Sequence, residues 1–310
     1  MKLLSVIVPC FNEQENISDF YTELMKTNSF FFKNDVSIEL LFINDGSTDE
    51  TAARVKELIK KDRRVHIVTF SRNFGKEAAI FAGLQHARGD YCVIMDCDLQ
   101  DPPSLLPEMF TAIVEEGYDS AATRRVDRKG EPPIRSFFAR QFYKVINKIS
   151  SADIVDGARD YRMMTRQFVD AILSMQEYNR FSKGIFGWVG FSTKWIEFEN
   201  VERRKGETKW SFWKLVLYAI DGIIAFSEAP LAIASFLGLF FCFVAFAFII
   251  FTIIRKKVFG DPTSGWPSLV CIMLLIAGLQ LFFIGVVGQY LSKTYLEVKR
   301  RPIYIVKEEK

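Results

Sequence analysis

Short apolar runs alternate with amphipathic segments over the first hundred residues. The runs are rich in β-branched residues and have the length of buried strands, whereas the segments between them carry helical spacing and capping signals. Strands are predicted at 4–8, 38–43, 65–70 and 91–95, and helices at 16–26, 48–61 and 75–87. Strands that alternate with helices at this spacing predict an α/β domain with a mostly parallel sheet.

The last hundred residues follow a different pattern, with two long apolar runs. Residues 231–254 and 268–291 each form 24 consecutive positions without a charged side chain. A helix needs about 20 apolar residues to cross a bilayer, and a buried core helix is a poor alternative at this length. The two runs therefore predict two transmembrane helices.

The charges that flank these runs favour one orientation. Basic residues are frequent before the first run and after the second, which places both ends in the cytosol by the positive-inside rule. Arg255, Lys256 and Lys257 lie between the runs and oppose this orientation. The balance predicts a multi-pass membrane protein whose α/β domain lies in the cytosol.

The segment 209–228 joins the two parts of the chain. Its aromatic and aliphatic residues are interspersed with Lys209, Lys214 and Asp221, as in an interfacial amphipathic helix. The predicted organisation is an α/β domain at 1–208, this helix at 209–228, a membrane region at 229–292 and a cytosolic tail at 293–310.

Composition excludes several classes of protein. The net charge of +3 is too small to suggest a nucleic-acid partner. The first eleven residues lack a signal-peptide pattern, and five cysteines without a C-x-x-C motif predict reduced thiols and no zinc site. P-loop and dinucleotide motifs are absent, and the two histidines lie near no candidate nucleophile.

Polar residues follow three of the predicted strands. These are Asn12 and Glu13, Asn44 and Asp45, and Asp96 and Asp98. Because parallel strands share one direction, all three sets fall at the carboxyl edge of the sheet, where open α/β sheets bind ligands. The Asp-x-Asp pair suits Mg²⁺ or Mn²⁺, which take one or two carboxylates and complete their shell with water and phosphate oxygens. A solvated acidic turn is the alternative.

Two basic segments accompany these carboxylates. One contains Arg124, Arg125, Arg128, Lys129 and Arg135, and the other is 203–209. Each is either a phosphate clamp or a charged surface, and the second also suits anionic lipid. A metal-binding carboxylate pair, basic residues and membrane spans together indicate a phosphorylated soluble donor and a lipid acceptor.

The motifs resemble those of family 2 glycosyltransferases with the GT-A fold, a Rossmann-like α/β fold. Within that family the chain is similar to the polyisoprenyl-phosphate glycosyltransferases, relatives of dolichol-phosphate mannose synthase, and most of all to bacterial bactoprenol (undecaprenyl-phosphate) glucosyltransferases. The resemblance covers essentially the whole chain. It rests on the segments 8–13, 44–47, 70–77, 96–102, 179–181, 188–190 and 203–209, and on the two spans.

This resemblance implies a role for each site residue. Pro9, Phe11 and Glu13 line the nucleotide base and ribose, and Asp45 also contacts the nucleotide. Asp98 is the main metal ligand and Asp96 lies near the metal, the diphosphate or the sugar. Gln100 lies near the sugar or the acceptor phosphate, and Arg124, Arg135, Arg203 and Lys209 are candidates for the phosphates. Asp160 is a candidate base or sugar-positioning carboxylate, although Arg159 before it departs from the Gly of relatives.

The implied reaction is an inverting transfer of one hexose to undecaprenyl phosphate. UDP-glucose is the favoured donor, while UDP-N-acetylglucosamine, GDP-mannose and a UDP-aminoarabinose donor stay open. The lipid-linked sugar would serve surface-glycan modification of the cell wall or O-antigen kind. A non-catalytic membrane scaffold is the alternative of a different class. The two uncharged spans are able to pack against copies of themselves, so a homo-oligomer is expected.

Overall fold

The fold is described from a computed structural model of the chain. The structure describes residues 1–125, 155, 157–198, 223–224, 227–259 and 265–310. Most of the predicted interfacial helix lies outside these residues. So do Arg128, Lys129, Arg135, Arg203 and Lys209.

A mixed sheet forms the centre of the α/β domain. Its strand order within the described residues is β7-β5-β6-β4-β1-β2-β3-β8. The strands are β1 (Lys2–Cys10), β2 (Val36–Asn44), β3 (Val65–Phe70), β4 (Tyr91–Ile94), β5 (Ser120–Arg125), β6 (Ala158–Thr165), β7 (Thr193–Phe198) and β8 (Val306–Glu309).

The four predicted strands form the parallel part of this sheet. β1 lies between β2 and β4, and β3 pairs with the far side of β2, all in parallel. β6 then pairs antiparallel with β4 and β5, while β7 is parallel to β5. The expectation of a mostly parallel α/β sheet is confirmed. The amino-terminal end of antiparallel β6 reaches the same edge as the carboxyl end of β4.

Helices cover both faces of the sheet. The helices of this domain are α1 (Ile17–Met25), α2 (Asn28–Lys33), α3 (Thr51–Lys61), α4 (Lys76–His86), α5 (Leu106–Val114), α6 (Arg166–Ser174) and α7 (Ser182–Trp188), with a 3₁₀ turn at Pro103–Leu105. Side chains of α1, α2, α3 and α5 pack with Leu4, Val6 and Val8 of β1 on one face. Those of α4, α6 and α7 pack with Ile7 on the other face. Both faces are thus buried, as a parallel sheet requires.

Two long helices follow, α8 (Ala229–Phe259) and α9 (Trp266–Val298). They contain the two predicted apolar runs, and both are long and apolar enough to cross a membrane. Large side chains on them are exposed, among them Phe236 at 73% and Leu281 at 70%. An apolar helix that no protein covers needs an apolar solvent, which is the physical argument for membrane association.

The chain returns to the sheet after α9. β8 adds to the free edge of β3 in the antiparallel direction, with backbone hydrogen bonds of 2.8 and 2.9 Å between Ile67 and Lys310. Tyr304 stacks on Phe70 with ring centroids 4.9 Å apart. The segment that the sequence assigned to a tail therefore carries the end of α9 and an edge strand of the catalytic domain.

Candidate active site

The carboxyl end of β2 organises the first part of the site through Asp45. The residue is 4% exposed, and its carboxylate accepts hydrogen bonds from the backbone N–H groups of Phe74 at 2.6 Å and Gly75 at 2.9 Å. Burial raises the pKa of Asp45, while these two bonds favour its charged form. Asp45 thus holds the loop between β3 and α4 in place.

Gly46 lets this loop approach β2 closely. Its φ of 67° is in the left-handed region, and a Cβ there would lie 2.4 Å from the carbonyl carbon of Arg72. Glycine meets both demands because it has no Cβ. The close approach brings the start of α4 to the edge where β1, β2 and β4 end.

Lys76, the first residue of α4, joins two carboxylates at that edge. Its Nζ lies 2.8 Å from Asp96 and 2.7 Å from Oδ2 of Asp160. Burial favours the neutral amine, but the two carboxylates outweigh it and raise the pKa of Lys76. Burial likewise opposes ionisation of Asp160, yet Lys76 and Lys183 hold the pKa of Asp160 well below its usual range. Lys76 and Asp160 are therefore both charged at neutral pH.

Asp98 is the more buried member of the Asp-x-Asp pair. Its residue is 6% exposed, and Oδ1 accepts a hydrogen bond of 3.1 Å from the backbone N–H of Gln100. Leu99 between them has a φ of 58°, a left-handed conformation that is uncommon for a residue with a side chain. This tight turn directs the chain from β4 into the Pro-rich segment before α5.

Arg159 ties β6 to the same loop. Its Nε donates to Oδ1 of Asp101 at 3.2 Å, and its Nη2 donates to Oε1 of Gln100 at 3.4 Å. The Asp101 side chain is only 2% exposed, and burial raises its pKa to about 6, against the effect of Arg159. The departure from Gly at 159 therefore supplies a partner for a buried carboxylate and for a predicted site residue.

The predicted nucleotide residues lie at the end of β1. Pro9 is buried within β1, and Phe11 and Glu13 follow it with partial exposure. Glu13 accepts a hydrogen bond of 2.6 Å from the Asn16 side chain, and its backbone N–H donates to Thr51 Oγ1 at 2.9 Å. These residues stand at the same edge as Asp45, as expected for neighbouring parallel strands.

Of the four predicted phosphate-binding residues, the structure describes Arg124. Arg124 lies on β5, next to the start of β6, and its guanidinium pairs with Glu197 of β7, including a hydrogen bond of 3.1 Å from Nε. Arg135, Arg203 and Lys209 lie outside the described residues. The structure thus brings together Asp96, Asp98, Gln100 and Asp160, with Arg124 at the margin.

Sequence reasoning missed the part that α4 plays. The pair Gly75-Lys76 does not make a P-loop, so the nucleotide-binding motifs give no sign of it. The signal that was present is its position just after β3, at the edge that carries the carboxylates. Glu77 was missed as well; it accepts a hydrogen bond of 3.0 Å from the backbone N–H of Ser182 and a second from the Ser182 hydroxyl. Burial raises the pKa of Glu77.

The chemistry of the carboxylates fits a hard divalent cation. Groups of three or more His, Cys, Asp or Glu side chains suited to a metal do not occur among the described residues. Mg²⁺ and Mn²⁺ do not require such a cage, because substrate phosphates complete their shell. Asp98 would be the direct ligand, since Lys76 already lies 2.8 Å from both carboxylate oxygens of Asp96.

A mostly parallel sheet with an Asp-x-Asp pair at its carboxyl edge is the arrangement of a GT-A glycosyltransferase. The family model described as "Glycosyl transferase family 2" matches residues 5–173. The chain therefore belongs to glycosyltransferase family 2 and is a glycosyltransferase.

Full-length relatives agree with this assignment. The putative glycosyltransferase CsbB of Bacillus subtilis is 41% identical over 99% of this chain and 92% of its own length. The bactoprenol glucosyl transferase of Shigella phage SfV is 40% identical over 99% of both chains. A solved structure, the glucosyl-3-phosphoglycerate synthase of Mycobacterium tuberculosis, covers 72% of this chain and 78% of its own, but its 18% identity and TM-score of 0.47 are too low to add to the assignment.

Proposed function

We propose that the protein transfers one hexose, with inversion, from a nucleotide diphosphate sugar to undecaprenyl phosphate at the cytosolic face of the bacterial plasma membrane. UDP-glucose is the favoured donor. The observation that carries this proposal is the convergence of Asp96 and Asp160 on Lys76, at the edge of the sheet where Asp98 follows β4. The similarity to a bactoprenol glucosyl transferase over the whole chain supports the acceptor and the sugar.

The proposed reaction exchanges one bond for another at the anomeric carbon. A phosphate oxygen of the acceptor attacks that carbon as the bond to the nucleotide diphosphate breaks, and the bonding electrons leave with the diphosphate. A bound Mg²⁺ or Mn²⁺ supplies charge stabilisation to the leaving diphosphate. The acceptor phosphate is already an anion, so it needs little help from a general base.

The residues of the chain position the reactants. Asp98 would hold the cation, with Asp96 beside it. A carboxylate with a lowered pKa is a weak proton acceptor, and Asp160 is held ionised by Lys76. Asp160 therefore serves better as a carboxylate that orients sugar hydroxyl groups than as a base. Pro9, Phe11, Glu13 and Asp45 would form the nucleotide side of the site.

We place the acceptor side of the site near the start of β6. Gln100 and Arg124 lie near the start of β6. We assign the acceptor or donor phosphates to Arg124, Arg135, Arg203 and Lys209. The apolar helices α8 and α9 would hold this side of the domain near the lipid headgroups. We also propose that copies of the chain associate through these helices, which the mass in detergent and in lipid tests.

A transfer assay tests the proposal. Purified full-length protein is mixed with undecaprenyl phosphate, labelled UDP-glucose and Mg²⁺, and the label in the lipid phase is counted. We expect label that is lost with EDTA and with Asp98→Asn, but kept with Asp35→Asn, which makes the same change at an exposed turn.

The other donors give distinct outcomes in the same assay. Label from UDP-N-acetylglucosamine, GDP-mannose or a UDP-aminoarabinose donor, but not from UDP-glucose, would keep the reaction and replace the sugar. Folded protein that labels the lipid with none of these donors would contradict the proposal and favour the scaffold function.

A further inference from the structure

A cavity of about 210 Å³ lies between α7 and the strands β6 and β7. It is distinct from the donor side of the site, because none of Lys76, Asp96 and Asp98 lines it. Among the described residues that line it, none is Asp or Glu. The side chains that matter are Arg159, Arg162, Lys183, Phe186, Thr193 and Trp195.

Arg162 is the buried cation of this cavity. The residue is 4% exposed, and its Nη1 donates to the hydroxyl groups of Ser120 at 3.1 Å and Thr193 at 3.2 Å. Its guanidinium lies 4.8 Å from the ring centroid of Phe186 and 5.3 Å from that of Trp195. Hydroxyl groups and aromatic faces hold the side chain in place but do not neutralise its charge.

The hydrogen bonding of Arg162 is incomplete. Among the described residues, its buried Nε has no hydrogen-bond partner and no carboxylate forms an ion pair with its guanidinium. Buried charged donors are normally paired. Burial lowers the pKa of Arg162 to about 9, although the charge of Asp160 acts in the opposite direction.

Two further cations stand beside Arg162. Lys183 of α7 is partly buried and, like Arg162, forms no ion pair with a described residue. Arg159 is paired with Asp101. The cavity therefore combines two cations that contact no carboxylate of the described residues, one partly neutralised cation and the hydroxyl group of Thr193.

We propose that this cavity binds a phosphate group. The planar donors of an arginine and the ammonium of a lysine are the usual partners of a phosphate, and such an anion would provide the missing partner for Arg162. The source is either inorganic phosphate or the phosphomonoester headgroup of a lipid. For a polyprenyl phosphate headgroup the inference rests on the proposed function, whereas for inorganic phosphate it does not.

Titration with inorganic phosphate tests this site. Full-length protein in detergent is titrated at constant ionic strength without any nucleotide sugar, and binding is followed by calorimetry. We expect Lys183→Gln to weaken binding at least about fivefold and Lys183→Arg to retain most of it. Lys194→Gln serves as the matched control, because Lys194 lies on β7 and pairs with Glu116 instead of lining the cavity.

Trp195 provides a second measurement that does not rely on variants of the buried arginine. Phosphate should change the tryptophan fluorescence of the protein, and Trp195→Phe should abolish that change while leaving the calorimetric binding. No binding to the unaltered protein, or equal binding to Lys183→Gln, would overturn the proposal.

A competition experiment distinguishes the two sources of the anion. Displacement of inorganic phosphate by a short-chain polyprenyl monophosphate identifies a lipid headgroup site. Binding of inorganic phosphate that the lipid does not displace identifies a site for the free anion. Both outcomes support the cavity as a phosphate site, and neither depends on whether the protein transfers glucose.

Discussion

Lys76 Nζ lies 2.7 Å from Oδ2 of Asp160, although α4 and β6 are far apart in the sequence. The same ammonium reaches Asp96 of the Asp-x-Asp pair. One cation therefore sets the separation between a carboxylate on the donor side and the candidate sugar-positioning carboxylate. Geometry of this kind matters because a displacement of about 1 Å costs roughly 10²-fold in rate.

Removal of Lys76 should reduce turnover strongly. We expect Lys76→Ala to lower kcat about 10²-fold, because Asp96 and Asp160 would repel each other without their shared cation. Lys76→Arg should recover part of the loss, since it restores the charge with different geometry. The measurement is the lipid-labelling assay, with Lys60→Ala on the exposed surface of α3 as the control. Equal kcat for Lys76→Ala and the unaltered protein would contradict the role of Lys76.

Replacement of Arg159 by the Gly of relatives should destabilise this chain. Arg159→Gly leaves the buried carboxylate of Asp101 without its cation, and breaking such a pair costs about 3 kcal/mol. Asp101→Asn in the same chain should recover much of this loss, because no buried charge remains. Denaturant unfolding followed by tryptophan fluorescence measures both variants. A double variant that is no more stable than Arg159→Gly would show that the loss does not come from the charge of Asp101.

Glu297 connects α9 with the active-site domain. Its carboxylate accepts hydrogen bonds from the backbone N–H groups of Tyr178 at 2.9 Å and Asn179 at 3.1 Å. The segment that follows leads to Ser182, which donates to Glu77 beside Lys76. The end of the second apolar helix thus fixes the segment that supports the start of α4.

Truncation of this carboxylate should loosen the segment. Hydrogen bonds to a charged group contribute about 1.5 kcal/mol or more, so Glu297→Ala should speed amide hydrogen exchange over 177–183 about tenfold. Glu228→Ala, at an exposed position before α8, is the matched control. Unchanged exchange over 177–183 in Glu297→Ala would show that other contacts hold the segment.

Asp62 should make stability depend on acid pH. The Asp62 carboxylate accepts hydrogen bonds from Arg64 Nη2 at 2.7 Å and from the Tyr21 hydroxyl at 2.8 Å. These bonds lower the pKa of Asp62 to about 2. A carboxyl whose pKa is lower in the folded chain stabilises it above its unfolded value of 3.8, and this contribution disappears as the pH falls toward 2.

The variant Asp62→Asn tests this dependence. At pH 7 the free energy of unfolding of this variant should be about 2 kcal/mol lower than that of the unaltered protein. The difference should shrink between pH 4 and pH 2, because the unaltered protein then loses the same contribution. Denaturant unfolding at pH 7 and pH 3 measures it, and a difference that is constant with pH would contradict the assignment.

Local patterns in the sequence were sufficient for the parallel part of the fold. The strands β1 to β4 and the helices α1, α3 and α4 follow from apolar runs and capping residues, because burial of both sheet faces requires apolar strands. The convergence of Asp45, Asp96 and Asp98 at one edge follows from the shared direction of parallel strands. The two long apolar helices follow from the lack of charge over 24 residues.

The remaining features depend on contacts between distant segments. Three contacts of this kind leave no periodic signal in the sequence: Lys76 with Asp160, Arg159 with Asp101, and Glu297 with the 178–179 backbone. Each charged partner looks like an ordinary surface charge in its own segment. The return of β8 to the edge of β3 is equally hidden, since a short polar strand gains its backbone partners only from the folded sheet. The sequence by itself determined the sheet edge and the carboxylates on it. The tertiary structure decided which cation joins them, because charge pairing is set by distance in the fold and not by spacing along the chain.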